Sequence, residues 1–273
     1  MVAQSSATTG AAAAPCGAGR LRAALEFALA GDLRFLAHHD ELRLLTRALV
    51  RAGWPLAYSQ GFNPRPRLVL PLPRNLGIAA ERQLALVELS ALRPPAELFT
   101  SLTRQLPTSC RLLRVVAPVA AGMPVATQVA FEVDLDPADA EPLAPRIAAL
   151  LARPIVTVAR DYGPGKPTRP VDIRPYINKL ESEGGRLRME LRCAAQRTAR
   201  PAEVITELGL AAATYNHRFR RAAVLWSMEL AGPAFGPAAN ERTGFDYEED
   251  PSQEDRRRVQ DGRPEAQDQA RQP

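Results

Sequence analysis

Residues 31–77 read GDLRFLAHHDELRLLTRALVRAGWPLAYSQGFNPRPRLVLPLPRNLG, and the fold reading starts from them. The stretch holds two of the chain's three histidines and seven arginines. Its middle predicts a helix over about residues 40–52. Asp40 suits the N-cap, because a carboxylate accepts from the free N–H groups of a first turn. Leu42, Leu45 and Leu49 recur at i, i+3 and i+7 and so share one face. Arg43, Arg47 and Arg51 recur at i, i+4 and i+8, nearly opposite the leucines. Gly53 and Pro55, with Trp54 between them, end the helix.

An arginine stripe alone suits a solvated face. The following loop, Tyr58-Ser59-Gln60-Gly61-Phe62-Asn63-Pro64-Arg65-Pro66-Arg67, adds two aromatic rings and two further arginines. Arg65 and Arg67 are two apart, so an extended segment points both the same way. Pro64 and Pro66 donate nothing to a β-ladder, which makes the segment an edge or a free loop. A stiff basic segment beside aromatic rings suits a phosphate backbone and an unstacked base. It equally suits an acidic protein groove. His38 and His39 fall just before the predicted helix, where partial positive charge attracts anions. His38 is a candidate phosphate contact or general acid–base with Asp40 beside it. It is also a candidate for a purely local hydrogen bond to Asp40 or the backbone.

The same residues carry a family resemblance. The chain resembles the radical-SAM-linked protein family, domain of unknown function 2344, whose members show Ser-His-Leu-Asp, an Arg-rich helix, Pro-Leu-Ala-Tyr-Ser-x-Gly-Phe-Asn-Pro-x-Pro and Leu-Pro-Leu-Gly. Here the run is Ala37-His38-His39-Asp40, then Pro55-Leu56-Ala57-Tyr58-Ser59-Gln60-Gly61-Phe62-Asn63-Pro64-Arg65-Pro66, then Leu72-Pro73-Arg74-Asn75-Leu76-Gly77. Weaker likeness continues through Val171-Asp172-Ile173-Arg174-Pro175 and Arg200-Pro201. Ala37, His39 and Thr46 stand where the family usually has Ser, Leu and Glu. The resemblance implies a companion of radical SAM proteins and names no reaction.

Composition bounds the rest. The 273 residues allow about two domains, and 46% hydrophobic content is ordinary for a globular chain. Cys16, Cys110 and Cys193 are odd in number and widely spaced, which fits a reducing cytoplasm better than a disulfide framework. They also cannot supply the closely grouped thiolates of a [4Fe–4S] cluster, so the expected radical SAM core belongs to a partner. No signal peptide and no membrane span are read. Residues 20–118 carry a net +7, 119–240 a net +2 and 241–273 a net −4. Of 35 basic residues only Lys166 and Lys179 are lysines, and arginine favours bidentate contact with phosphate and carboxylate.

Periodicity predicts a strand at 21–29, the helix, short extended pieces at 56–59 and 67–71, a strand at 84–89, a helix opened by Pro94 and Pro95 to 106, and a strand at 110–116. A second set follows: a strand at 128–135, a helix from Asp136-Pro137 to about 151, and a strand at 155–159. It continues with a hairpin of 171–177 and 187–193 across Glu183-Gly184-Gly185, a helix at 201–208 and a last strand within 218–230. The expected class is α+β, with two tandem ferredoxin-like (βαββαβ) halves at 20–118 and 119–232 and a cleft between them. Disordered tails are expected at 1–19 and 233–273. Acidic Glu248 to Asp250 is read as solvated, with a fold-back on the arginine stripe as the rival.

The expected function is a non-catalytic, cytoplasmic RNA-binding accessory protein that presents tRNA or rRNA to a radical SAM partner. It needs no cofactor, metal or membrane. Arg43, Arg47, Arg51, Arg65 and Arg67 would contact phosphates, with Tyr58 or Phe62 stacking on a base and Asn63 in the same loop. Two other readings fit the same residues. One is a metal-independent ribonuclease or transferase using His38. The other is an interaction module that docks the radical SAM enzyme without touching RNA.

Overall fold

The computed structural model describes residues 20–120, 122–163, 165–194 and 197–237. The tail expected at 1–19 and, of the tail expected at 233–273, residues 238–273, with Cys16 and the acidic run near 248–250, lie outside these residues. In chain order the first half has β1 (Leu21–Leu29), α1 (His38–Arg51), β2 (Leu68–Val69), β3 (Ala79–Leu89), α2 (Pro95–Thr103) and β4 (Cys110–Val116). The second has β5 (Ala126–Asp134), α3 (Pro137–Ala140), α4 (Leu143–Ala152), β6 (Thr157–Arg160), β7 (Arg169–Asp172), β8 (Ile177–Glu183), β9 (Arg186–Arg192), α5 (Pro201–Glu207), α6 (Ala212–Tyr215) and β10 (Arg220–Trp226), followed by β11 (Ala234–Phe235).

The protein is a mixed α+β fold on one large, mostly antiparallel sheet, ordered β11-β4-β1-β3-β10-β5-β9-β8, with β2 also on β3. β6 and β7 form a separate hairpin. Among the described residues, the one parallel pairing within that sheet joins β3 to β10 through Arg220↔Ala79 and Arg221↔Ala80. On one face, β1 contributes Leu25, Phe27 and Leu29 to a core with Leu45 and Leu49 of α1 and Leu98 and Leu102 of α2. The matching core of the second half joins Val129, Phe131 and Val133 of β5 to Leu143, Ile147 and Leu150 of α4 and Val204 and Ile205 of α5. Each such leucine contributes about 1.5–3 kcal/mol by leaving water. The opposite face of β1, β3 and β4 is covered as well: Trp226 and Leu230 pack on Ala24, Leu84, Leu86 and Val116. That cover buries Ala24 of β1, although the same face of the strand also carries Arg22 and Glu26.

Several boundaries move for local reasons. The helix expected from Asp136-Pro137 to about 151 is two helices, because Pro142 lacks an N–H and becomes the N-cap of α4. The hairpin across Gly184-Gly185 starts at Ile177, since Val171 is taken by the β6–β7 pair. Gly184 (φ 56°) and Gly185 (φ 79°) both adopt positive φ, as a two-residue turn of the primed type requires. Ala234↔Val116 and Phe235↔Val115 pair β11 with β4, so the folded chain continues through 233–237, which composition had placed in the charged tail. No helix among the described residues is long and apolar enough to cross a membrane.

Candidate functional site

The helix α1 starts earlier than its sequence predicts. Ala37 is the N-cap, in extended backbone, and its carbonyl accepts from the N–H groups of Asp40 (2.9 Å) and Glu41 (3.0 Å). His38 and His39 are therefore helical residues instead of a preceding turn, and Asp40 lies inside the first turn. The Asp40 carboxylate accepts from Arg43 Nη1 at 2.9 Å. His38 Nδ1 is buried without a hydrogen-bond partner. The shift carries Glu41 into the interior, where it is 1% exposed and 3.5 Å from the buried Arg74. A tertiary ion pair has overridden the capping preference of Asp40.

The arginine stripe is exposed as expected but unequally free. Arg51 donates to the side-chain and backbone oxygens of Gln105, at 3.3 and 2.9 Å. Arg43 is held by Asp40. Arg47 makes no hydrogen bond or ion pair among the described residues.

The loop after α1 is a hairpin that pairs with itself. Tyr58 bridges Pro66, Ser59 N–H donates to Arg65 O at 2.8 Å, and Arg67 N–H donates to Ala57 O at 2.9 Å. Its base is stitched to β3, with Ala57 N–H donating to Glu88 O and Glu88 N–H to Arg67 O, each at 2.9 Å. The tip carries fully exposed Phe62 beside exposed Asn63, Pro64 and Arg65. Arg65 and Arg67 do not act alike. The Arg67 guanidinium donates to Tyr58 O and pairs with Glu88 (3.3 Å), which also holds Arg20 and Arg22. The Arg65 side chain has no partner among the described residues.

A second constellation escaped the sequence reading. Arg74 is a buried staple. It donates to Ile78 O at 2.6 Å, to Arg34 O, and at 3.2–3.3 Å to Leu33 O, Leu36 O and Asn75 O. One planar guanidinium thus satisfies carbonyls of two neighbouring turns that no ladder serves. Burial pushes the Glu41 carboxyl above its usual range, against the opposing pull of Arg74, Arg221 and His38. Arg221 of β10 is the third member, 3% exposed. Burial, helped by repulsion from Arg74, brings its guanidinium down to about 10 although Glu41 and Cys193 oppose.

Arg74 and Arg221 both line a cleft of about 880 Å³. Its walls are residues 72–75 and Ile78 of the first half, and β5, the β6–β7 hairpin and residues 197–201 of the second. Arg160, Arg169, Arg197 and Arg200 also face it. Arg160 is neutralised by a bidentate pair with Glu203, both contacts at 2.6 Å. The lining Asp172 spends one carboxylate oxygen on the N–H groups of Val156 (2.9 Å) and Arg174 (3.0 Å).

Residues 22–201 match the model of a family described as an uncharacterized protein conserved in bacteria (DUF2344). The chain belongs to that family. No curated protein matches it. The DUF2344 match takes in α1, the self-paired hairpin and Arg74, and it ends at Pro201, short of Arg221. The arginines of β9, a further candidate basic surface by spacing, are largely ion-paired here: Arg186 and Arg188 lie within 4.0 Å of Glu132, Asp134 or Glu190. Antiparallel pairing of β9 with β5 sets acidic positions opposite basic ones, a pattern invisible within either strand alone.

Proposed function

We propose that this DUF2344 protein is a non-catalytic RNA-binding accessory protein that acts with a radical SAM enzyme in the cytoplasm on tRNA or rRNA. The carrying observation is the hairpin at 57–67, which is closed by its own backbone hydrogen bonds and holds Phe62 and Arg65 free at its tip. A rigid loop that exposes an aromatic ring beside an unpaired guanidinium matches what an unstacked base and its phosphate require. Tyr58 supplies a second ring at the hairpin's base, and Asn63 a polar group at its tip. Arg47 extends the contact along α1, while Arg43, Arg51 and Arg67 contribute after exchanging intramolecular partners for phosphate. The net +7 of residues 20–118 favours a polyanion.

The architecture belongs to the same proposal. Strand order β4-β1-β3-β2 with α1 and α2, and β10-β5-β9-β8 with α4 and α5, supports two ferredoxin-like halves joined edge to edge. Under this reading β6 and β7 are an insertion of the second half, and the radical SAM enzyme supplies the cluster and the chemistry.

The test is filter binding of the full chain to total RNA across a salt series. Affinity should fall steeply with salt, and Arg65→Ala should reduce the slope by about 1. Phe62→Ala should cost about 1–3 kcal/mol at every salt concentration, the stacking contribution of one base. A salt-insensitive or absent interaction removes the RNA reading. It leaves the alternative favoured by the solvent-facing Phe62 ring, in which the hairpin docks into a groove of the radical SAM partner.

A further inference from the structure

We propose that the arginine-lined cleft is a binding site for a phosphorylated small molecule of nucleotide size, whose phosphate completes the charge of Arg221. The inference is independent of the RNA contact assigned to the hairpin.

The first ground is a charge imbalance in the interior. Arg74, Arg221 and Glu41 are each at least nine-tenths buried, and they set two guanidiniums against one carboxylate. Glu41 lies against Arg74, whose Nη1 and Nη2 donate to backbone carbonyls while its Nε is buried without a partner. Glu41 acts on both guanidiniums, so the three groups together keep an excess positive charge, and Arg221 has few partners of its own. Its Nε is buried without a partner, and its Nη1 reaches Leu72 O only at 3.4 Å. Taking a cation out of water without a counter-charge costs several kcal/mol. A guanidinium presents a planar fork of donors that fits a phosphate bidentately. An anion seated against Arg221 from the cleft side supplies both the missing charge and the missing acceptor.

The second ground is the rest of the cleft. Arg169, Arg197 and Arg200 are exposed at its lining. The acidic groups nearby are committed, Glu203 to Arg160 and Asp172 to the backbone N–H groups of Val156 and Arg174. The field in the cleft is therefore positive, and its low-dielectric walls strengthen it. The volume of about 880 Å³ far exceeds a lone phosphate and lies within the range of small-ligand sites. Tyr162 and Tyr176 line the same space and offer rings for the uncharged part of the ligand. The phosphate can belong to a free nucleotide or to the phosphorylated end of an RNA, and binding measurements separate the two.

The experiment is calorimetric titration of the full chain with inorganic pyrophosphate, a nucleoside diphosphate, and a short RNA with and without a 5′-phosphate. The expected result is one site for pyrophosphate, with tighter binding of the nucleoside diphosphate. Arg221→Met should weaken both at least tenfold. Arg169→Ala with Arg197→Ala changes only exposed groups, so it folds whatever Arg221→Met does, and it should weaken both severalfold. Phe62→Ala should leave both unchanged, which separates this site from the hairpin. RNA that binds through Arg221 only when 5′-phosphorylated assigns the phosphate to an RNA end. Equal pyrophosphate affinity in the wild-type chain and the two arginine variants, or no binding at all, overturns the proposal and leaves Arg221 a structural cation.

Discussion

Arg221 shows how a single residue's cost can be read. Its guanidinium titrates near 10 in the fold because burial disfavours the charged form. Unfolded, it holds its proton to a distinctly higher pH. Wherever both states are protonated, the buried charge opposes folding in full. As pH rises past about 10 the folded chain sheds the proton first, and the cost falls. Arg221→Met should therefore raise the stability of the ligand-free protein at neutral pH by about 1–4 kcal/mol in urea melts. The gain should shrink above pH 10. A loss of stability at neutral pH would mean that the bond to Leu72 outweighs the burial cost. Retaining such a cation is consistent with a binding role, since sites for anions are commonly less stable than the best apolar filling of the same space.

At the scale of elements, β11 shows how a two-residue strand survives beyond the sheet's last long strand. Its flanking glycines make the close approach possible. A Cβ on Gly236 would overlap the carbonyl oxygen of Leu113, and one on Gly232 would overlap that of Pro118. Both glycines also sit at positive φ, 145° and 153°, where other residues are strained. Gly236→Ala should cost about 1–3 kcal/mol and detach β11, which also frees Phe235 from its edge-on contact with Phe99 at 5.4 Å. Amide exchange at Ala117, whose N–H donates to Pro233 O, reports the detachment directly. The hairpin at 57–67 behaves differently. Phe62 at its tip is fully exposed among the described residues, so Phe62→Ala should leave the melting temperature unchanged while it weakens binding.

At the scale of the whole sheet, β3 and β10 meet along a narrow seam. β3 and β10 share two register pairs, supported by Ala79 N–H donating to Phe219 O at 3.2 Å. Arg220 crosses the seam on the face away from the helices. It reaches Glu81 of β3 at 3.2 Å, and Glu132 and Asp134 of β5 at 3.0 Å. Arg220→Ala should destabilise the protein by about 2–3 kcal/mol, less than a fully buried pair would lose because Asp134 is half exposed. Calorimetry should then show a broader transition, with the halves beginning to melt separately. A sharp transition at the original temperature would show that packing beside the seam suffices.

Local pattern determined much of this protein. The strand at 21–29 and the strand at 110–116 fall where alternation and breakers place them, and Gly184-Gly185 announces its turn. The leucine face of α1 is buried and its arginine face exposed. The exposed loop with its two prolines was also legible, because Gly, Asn and Pro act on their own backbone, but it was read as an edge or free segment and its closure into a self-paired hairpin was not. Long-range assembly decided the rest. Glu41, Arg74 and Arg221 lie far apart in sequence, and each by itself reads as an ordinary surface charge. They meet because the parallel β3–β10 pairing sets Arg221 beside Ala80 and turns it toward the helix-bearing face, while Arg220 turns the other way. Periodicity specifies which side of an element is apolar, but which distant sides are brought together is settled only when the sheet closes, and that closure put a cation in the wall of a cleft.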